Sequence, residues 1–175
     1  LHRRTKAKRI RERKRVLGRS IEQRPESVDS REEFGNWEID EVIGRKSDKD
    51  KVLLTMVERK TRNLCVLRLA DKSSRSLMEA FQRMEDEFGQ AFPKVFRSIT
   101  ADNGAENSML AEIESVTGTP VYFTHPYTSC EKGTIENHNG LIRRFLPKGK
   151  RVDSYDEDTI LGVELWTNGL PRKIL

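Results

Sequence analysis

The stretch Trp37-Glu38-Ile39-Asp40-Glu41-Val42-Ile43 sorts its residues by alternation. Trp37, Ile39 and Ile43 fall on one face of an extended segment, and Asp40 and Glu38 fall on the other. That alternation supports a strand there. Residues 52–57 and 64–69 are short apolar runs with β-branched members and read as the next two strands. Ser73 and Ser74 have the character of helix caps, and Leu77, Ala80, Phe81, Met84 and Phe88 then repeat at helical spacing until Gly89. A short strand over 96–100, a helix carrying Met109, Leu110, Ile113 and Val116, and a strand over 121–124 follow. Two helices, over 133–146 and 155–166, complete the order. Three strands followed by alternating helices and strands predict an α/β sheet with helices packed on its faces.

The charge is unevenly placed. The chain of 175 residues has a formal net charge of +5, yet ten of its 33 Lys and Arg lie between Leu1 and Arg19, against the single acid Glu12. The remainder is slightly acidic. A basic tail on such a globule suits a polyanion partner, since clustered cations gain from counterion release; a solvated arm is the bland alternative. Pro25 and the lack of a sustained apolar period make 1–33 an expected arm and linker, with the folded domain at 34–175. Two separated cysteines, Cys65 and Cys130, offer neither a disulfide framework nor a Cys-x-x-Cys metal pair. Three histidines and those cysteines argue against a zinc site. No apolar run reaches the roughly 18 residues of a membrane span, so a soluble, cytoplasmic protein is expected.

Three acids stand out from the 28 by their settings. Asp40 lies within the first strand, on the face away from Trp37 and Ile39. Glu38 shares that face as a decoy or a supporting group. Asp102 directly follows a strand in Thr100-Ala101-Asp102-Asn103-Gly104, where Asn-Gly favours a tight turn that projects the acid from the strand end. Such strand ends are favoured ligand positions in α/β sheets. Glu136 begins a helical face shared with Asn139, Gly140 and Arg143, beside an apolar stripe of Ile135, Ile142, Phe145 and Leu146. Each acid also has a plain reading, as a solvated strand face, a turn former and a polar helix face respectively.

The wording of the segments adds what spacing cannot. Trp37-Glu38-Ile39-Asp40, Thr100-x-Asp102-Asn103-Gly104-x-Glu106, Pro126-Tyr127-x-Ser129 and Glu131-Lys132-Gly133-Thr134-x-Glu136-Asn137-x-Asn139-Gly140-Leu141-Ile142-Arg143-Arg144-Phe145 together resemble bacterial insertion-sequence transposases. The branch named after insertion sequence thirty is the nearest in wording. The resemblance runs from Arg19 to Leu175 and includes Phe145-Leu146-Pro147-Lys148-Gly149. It implies a ribonuclease-H-like fold with a mixed five-stranded sheet and helices on both faces. It also implies that Asp40, Asp102 and Glu136 are the catalytic acids, binding two Mg²⁺ or Mn²⁺ ions. Hydrolysis at transposon ends and transfer of the freed 3′-hydroxyl into target DNA would follow, with DNA as partner and at least a dimer when active. A bacterial, nucleoid-associated setting and an end-reading helix-turn-helix region lying outside this chain are further implications. Cys130, Asn107 and Asn36 depart from the pattern, where tryptophan, phenylalanine and histidine or aspartate are common. Alternatives are a retroviral-type integrase or nuclease of the same fold, or a non-catalytic DNA-binding remnant.

Carboxylates suit that chemistry because Mg²⁺ prefers oxygen ligands, and converging acids repel one another unless a cation neutralises them. Around the Glu136 helix, Lys132, Arg143, Arg144, Lys148, Lys150 and Arg151, with Asn139, are expected to contact DNA, the cations through its phosphates. Arg172 and Lys173 are weaker candidates. His125 and Tyr127 are read as ordering the loop before that helix, and His138 as a packing or surface residue beside Glu136.

Overall fold

A computed structural model describes residues 17–45, 50–126 and 128–172. The basic tail as far as residue 16, Tyr127 and residues 173–175 lie outside the described residues. In chain order the elements are β1 (Arg19–Ser20), α1 (Glu26–Ser30), β2 (Asn36–Ile43), β3 (Val52–Glu58), β4 (Leu64–Leu69), α2 (Ser74–Phe88), α3 (Phe92–Val95), β5 (Ser98–Ala101), α4 (Ala111–Thr117), β6 (Val121–Phe123), α5 (Gly133–Ile142) and α6 (Glu157–Gly169).

The strands form one mixed sheet in the order β1-β6-β5-β2-β3-β4. β2, β3 and β4 are an antiparallel meander, while β5 runs parallel to β2 and β6 parallel to β5. The parallel pairs need crossovers, and α2 with α3, then α4, supply them. The alternation of β2 sends its two faces into separate cores. Trp37 and Ile39 join Leu77, Ala80, Phe81 and Met84 of α2 and Ile113 of α4. Val42, with Leu53 and Val57 of β3, meets Ile135 and Ile142 of α5 and Ile160 and Val163 of α6. Each large apolar side chain buried this way contributes about 1.5–3 kcal/mol relative to exposure. The ribonuclease-H-like arrangement with helices on both faces is therefore present.

Two details differ from expectation. The sheet has six strands, because Arg19 and Ser20 pair in parallel with Tyr122 and Phe123. The folded unit consequently starts before residue 34. Residues 17–30 are bound across the sheet ends: Leu17 N–H donates to Asn103 Oδ1 at 3.0 Å, Arg24 donates to Thr100 Oγ1 at 3.2 Å, and Val28 is buried. A two-residue strand carries no alternation of its own, and its pairing is a tertiary event. Helix α5 also stops at Ile142 rather than 146, and α6 runs from 157 to 169.

Local chemistry sets the other boundaries. Ser73 caps α2 by accepting the Ser76 N–H at 3.1 Å, and Gly89 ends it with φ of 51°. Gly44, after β2, lies so close to the segment after α5 that an added Cβ would sit 2.2 Å from the Lys150 carbonyl oxygen. Gly149, with φ of 89°, donates its N–H to Gly44 O at 3.0 Å. This close approach brings the segment carrying Lys148, Lys150 and Arg151 to the end of β2.

Candidate active site

Register explains why two of the three acids meet. Asn36, Trp37 and Glu38 pair with Ser98, Ile99 and Thr100, and that pairing ends at Thr100. Asp40 and Asp102 are each two residues further on, Asp40 still within β2 and Asp102 just past the end of the parallel β5. They sit where the strands part, the crevice position that suits ligands in such sheets. An open cavity of about 440 Å³ lies there, lined by Asp40, Asp102, Glu136, Lys132, His125 and neighbouring loop residues.

Each aspartate is held by one oxygen and offers the other. Asp102 Oδ1 accepts the Gly104 N–H at 2.9 Å and the Asn107 amide at 2.7 Å, so the predicted turn is present and is reinforced. Its Oδ2 is 3.7 Å from Lys132 Nζ. Asp40 Oδ2 accepts the Asn139 amide at 2.8 Å, and Oδ1 accepts from Lys132 Nζ at 3.3 Å. Glu136 lines the same cavity from the first turn of α5 and is exposed. Among the described residues no three His, Cys, Asp or Glu side chains are clustered tightly enough to hold a metal ion. The structure thus pairs Asp40 with Asp102 and keeps Glu136 on the cavity wall. The donor set nevertheless fits a hard divalent cation: it is made of carboxylate oxygens, and a cationic ammonium already bridges two of them.

Helix α5 is positioned by an acid that spacing alone left ambiguous. Glu38 is fully buried; its Oε2 accepts the Ile135 N–H at 2.9 Å, and its Oε1 pairs with Arg59 at 2.5 Å. A carboxylate at a helix N-terminus satisfies an orphan donor and is favoured by the helix dipole. Arg59 continues the chain of contacts to the Val28 carbonyl at 3.1 Å and to Asp29 at 3.5 Å. Burial pulls the Arg59 pKa down and Glu38 opposes that. On the opposite side of β2, Glu41 has two buried oxygens with no hydrogen-bond partner. Burial, then the charge of Glu106, push its pKa up to about 7; Lys72 opposes this, and Asp40 and Asp102 add to it.

The basic residues separate into two groups. Lys132, expected at a phosphate, is buried and directed at the acids, because α5 begins against the β2 strand end. Asn139 is likewise committed to Asp40. Arg151, also expected at a phosphate, faces Asp50 at 3.8 Å and Asp153 at 3.4 Å. Arg144, Lys148 and Lys150 are exposed, and Arg143 with Lys148 lines a second hollow of about 390 Å³ that also contains Glu41 and Gly44. His125 orders the loop before α5: its ring Nδ1 and its N–H both meet Glu131, each at 2.8 Å, and that hydrogen bond raises its pKa. His138 is a packing residue, buried with its ring nitrogens 2.8 Å from Thr134 O and 3.0 Å from Arg62 O.

No protein-family model matches the chain. It is 42% identical over 161 residues to the probable transposase for insertion-like sequence element IS1161 of Streptococcus salivarius, covering 92% of this chain and 44% of that protein. It is 36% identical over 160 residues to transposase InsI for insertion sequence element IS30C of Escherichia coli K12, covering 91% and 40%. The transposase for insertion sequence element IS1086 of Cupriavidus metallidurans is 31% identical over 156 residues, covering 89% and 44%. The chain spans less than half the length of these relatives. Among solved structures, a chain of the simian T-cell lymphotropic virus intasome in complex with PP2A regulatory subunit B56 gamma superposes with a TM-score of 0.54 at 20% identity. That likeness covers 75% of this chain and 47% of the other, and it bears on the fold alone. Over about nine-tenths of its length the chain is homologous to IS30-family transposases, and it has the ribonuclease-H-like fold.

Proposed function

We propose that this chain is the catalytic segment of a transposase, with Asp40, Asp102 and Glu136 as its metal-binding acids. One observation supports this most strongly: the in-register strands β2 and β5 bring Asp40 and Asp102 to one cationic group, in a cavity that Glu136 also lines. Two Mg²⁺ or Mn²⁺ ions held by such acids would stabilise charge on both the attacking and the leaving oxygen of a phosphodiester.

The chain's own residues supply orientation. Asn107 and the Gly104 N–H keep Asp102 Oδ2 turned toward the cavity, and Asn139 does the same for Asp40 Oδ1. Glu38 holds the first turn of α5, and so the backbone that carries Glu136. Arg143, Arg144, Lys148 and Lys150 supply the cations for backbone phosphates along the rim. The reaction is hydrolysis at a transposon end followed by attack of the freed 3′-hydroxyl on target DNA, within an assembly that brings two ends together.

The test is a transposition assay on transposon-end DNA with Mg²⁺ or Mn²⁺, comparing the full-length protein with its Glu136→Gln form. The expected result is loss of nicked and strand-transferred products by about a hundredfold or more, as for removal of a group that stabilises transition-state charge. Undiminished activity would remove Glu136 from the triad. Nicked ends without joined product would identify a nuclease.

A further inference from the structure

Lys132 is the buried cation of the site. It is 5% exposed, and its ammonium has three oxygen neighbours: Ile39 O at 3.2 Å, Asp40 Oδ1 at 3.3 Å and Asp102 Oδ2 at 3.7 Å. A buried ammonium is tolerated only where it is paired, and two facing carboxylates are tolerated only where something offsets their repulsion. Here each need answers the other.

We propose that Lys132 is an internal counter-cation that holds the Asp40 and Asp102 pair in the metal-free protein and competes with a divalent cation for the same oxygens. This rests on reading those acids as metal ligands. Metal loading would then be an exchange in which the Lys132 ammonium withdraws from the two carboxylates that would hold the cation. Neither bond making nor proton transfer is involved.

Chain geometry couples that exchange to the third acid. Lys132 immediately precedes α5, and Glu136 is four residues later, about one helical turn away. Glu136 makes no hydrogen bond or ion pair among the described residues, whereas both aspartates are already engaged. The side chain that must leave and the carboxylate still without a partner therefore belong to the start of one helix. The cavity beside them is open, so a withdrawn ammonium has a path toward the surface at which phosphate would enter. As a positioning residue Lys132 sets the resting state of the site and makes metal affinity lower than the carboxylates alone would give.

Calorimetric titration of Mn²⁺ into the DNA-free protein tests this, comparing wild type with Lys132→Gln and Lys132→Arg. Lys132→Gln is expected to bind Mn²⁺ about tenfold tighter, because a competing charge within 4 Å is gone, while Lys132→Arg stays near wild type. In an Asp40→Asn background the gain from Lys132→Gln should shrink, which loss of simple packing would not produce. A Lys132→Gln affinity equal to or weaker than wild type, or no binding by either, overturns the proposal. Asp102→Asn is the control for the underlying assignment: unchanged Mn²⁺ binding there would reject the ligand reading, and the exchange with it. Should Lys132→Gln not fold without metal, Mn²⁺-driven refolding followed by circular dichroism replaces the titration. Failure to recover at the concentration that saturates wild type then counts against the proposal.

Discussion

The two ends of β2 treat buried acids in opposite ways. At its start, Glu38 is inaccessible and has a partner for each oxygen, Arg59 and the Ile135 N–H. Three residues later Glu41 has both oxygens buried without a hydrogen bond, and its pKa is pushed to about 7 by burial and then by Glu106. Asp40 stands between them with its charge shared by Lys132 and Asn139. A strand satisfied at one end and unsatisfied at the other marks where structure gives way to chemistry, since unrelieved charge collects at functional sites.

The first way to break this contrast is Glu38→Ala. It strands the Arg59 guanidinium in the interior and removes the acceptor at the α5 N-terminus. A loss of about 3–5 kcal/mol is expected, the usual cost of removing one partner of a buried pair. Urea unfolding measures it, and a change under 1 kcal/mol would place Glu38 outside the framework.

Glu41→Gln should do the reverse. A carboxyl whose folded pKa lies above its ordinary 4.5 binds its proton more tightly in the native state, so the stability it lends is full below 4.5 and lost as pH rises through about 7. The glutamine variant is therefore expected to match wild type near pH 4 and exceed it above pH 7 by about 1–2 kcal/mol, a value discounted for partial exposure. Thermal unfolding across that range checks the sign; a variant less stable at pH 8 would contradict it. The smallest effect belongs to Lys72→Met. Lys72 pairs with Glu106 at 2.9 Å on a half-exposed surface, and its loss should cost about 0.2–1 kcal/mol while raising the Glu41 pKa further.

Much of this contrast was legible before the fold. The alternation in Trp37 to Ile43 separated the two faces of β2, and helical spacing identified α2 together with its Ser73 cap. Those are local signals. Long-range pairing was not legible: Arg19 and Ser20 have too few residues to display a period, and only their pairing with Tyr122 and Phe123 shows them as a strand. Lys132 reads as a phosphate contact because it belongs with the basic residues around the Glu136 helix, whereas its spatial neighbours are Asp40 of β2 and Asp102 just after β5. Asn107 registered as a departure from the family wording; its amide is what braces Asp102. Glu38 was marked as either decoy or support, and only the arrival of α5 at the sheet distinguishes them.

Anomalous diffraction from crystals of the protein grown with Mn²⁺ tests the central claim most directly. Mn²⁺ density is expected at the carboxylates of Asp40 and Asp102, with Glu136 turned into the site and the Lys132 ammonium displaced from the aspartates. Density elsewhere, or none at saturating Mn²⁺ with Lys132 still bridging the two acids, would contradict it.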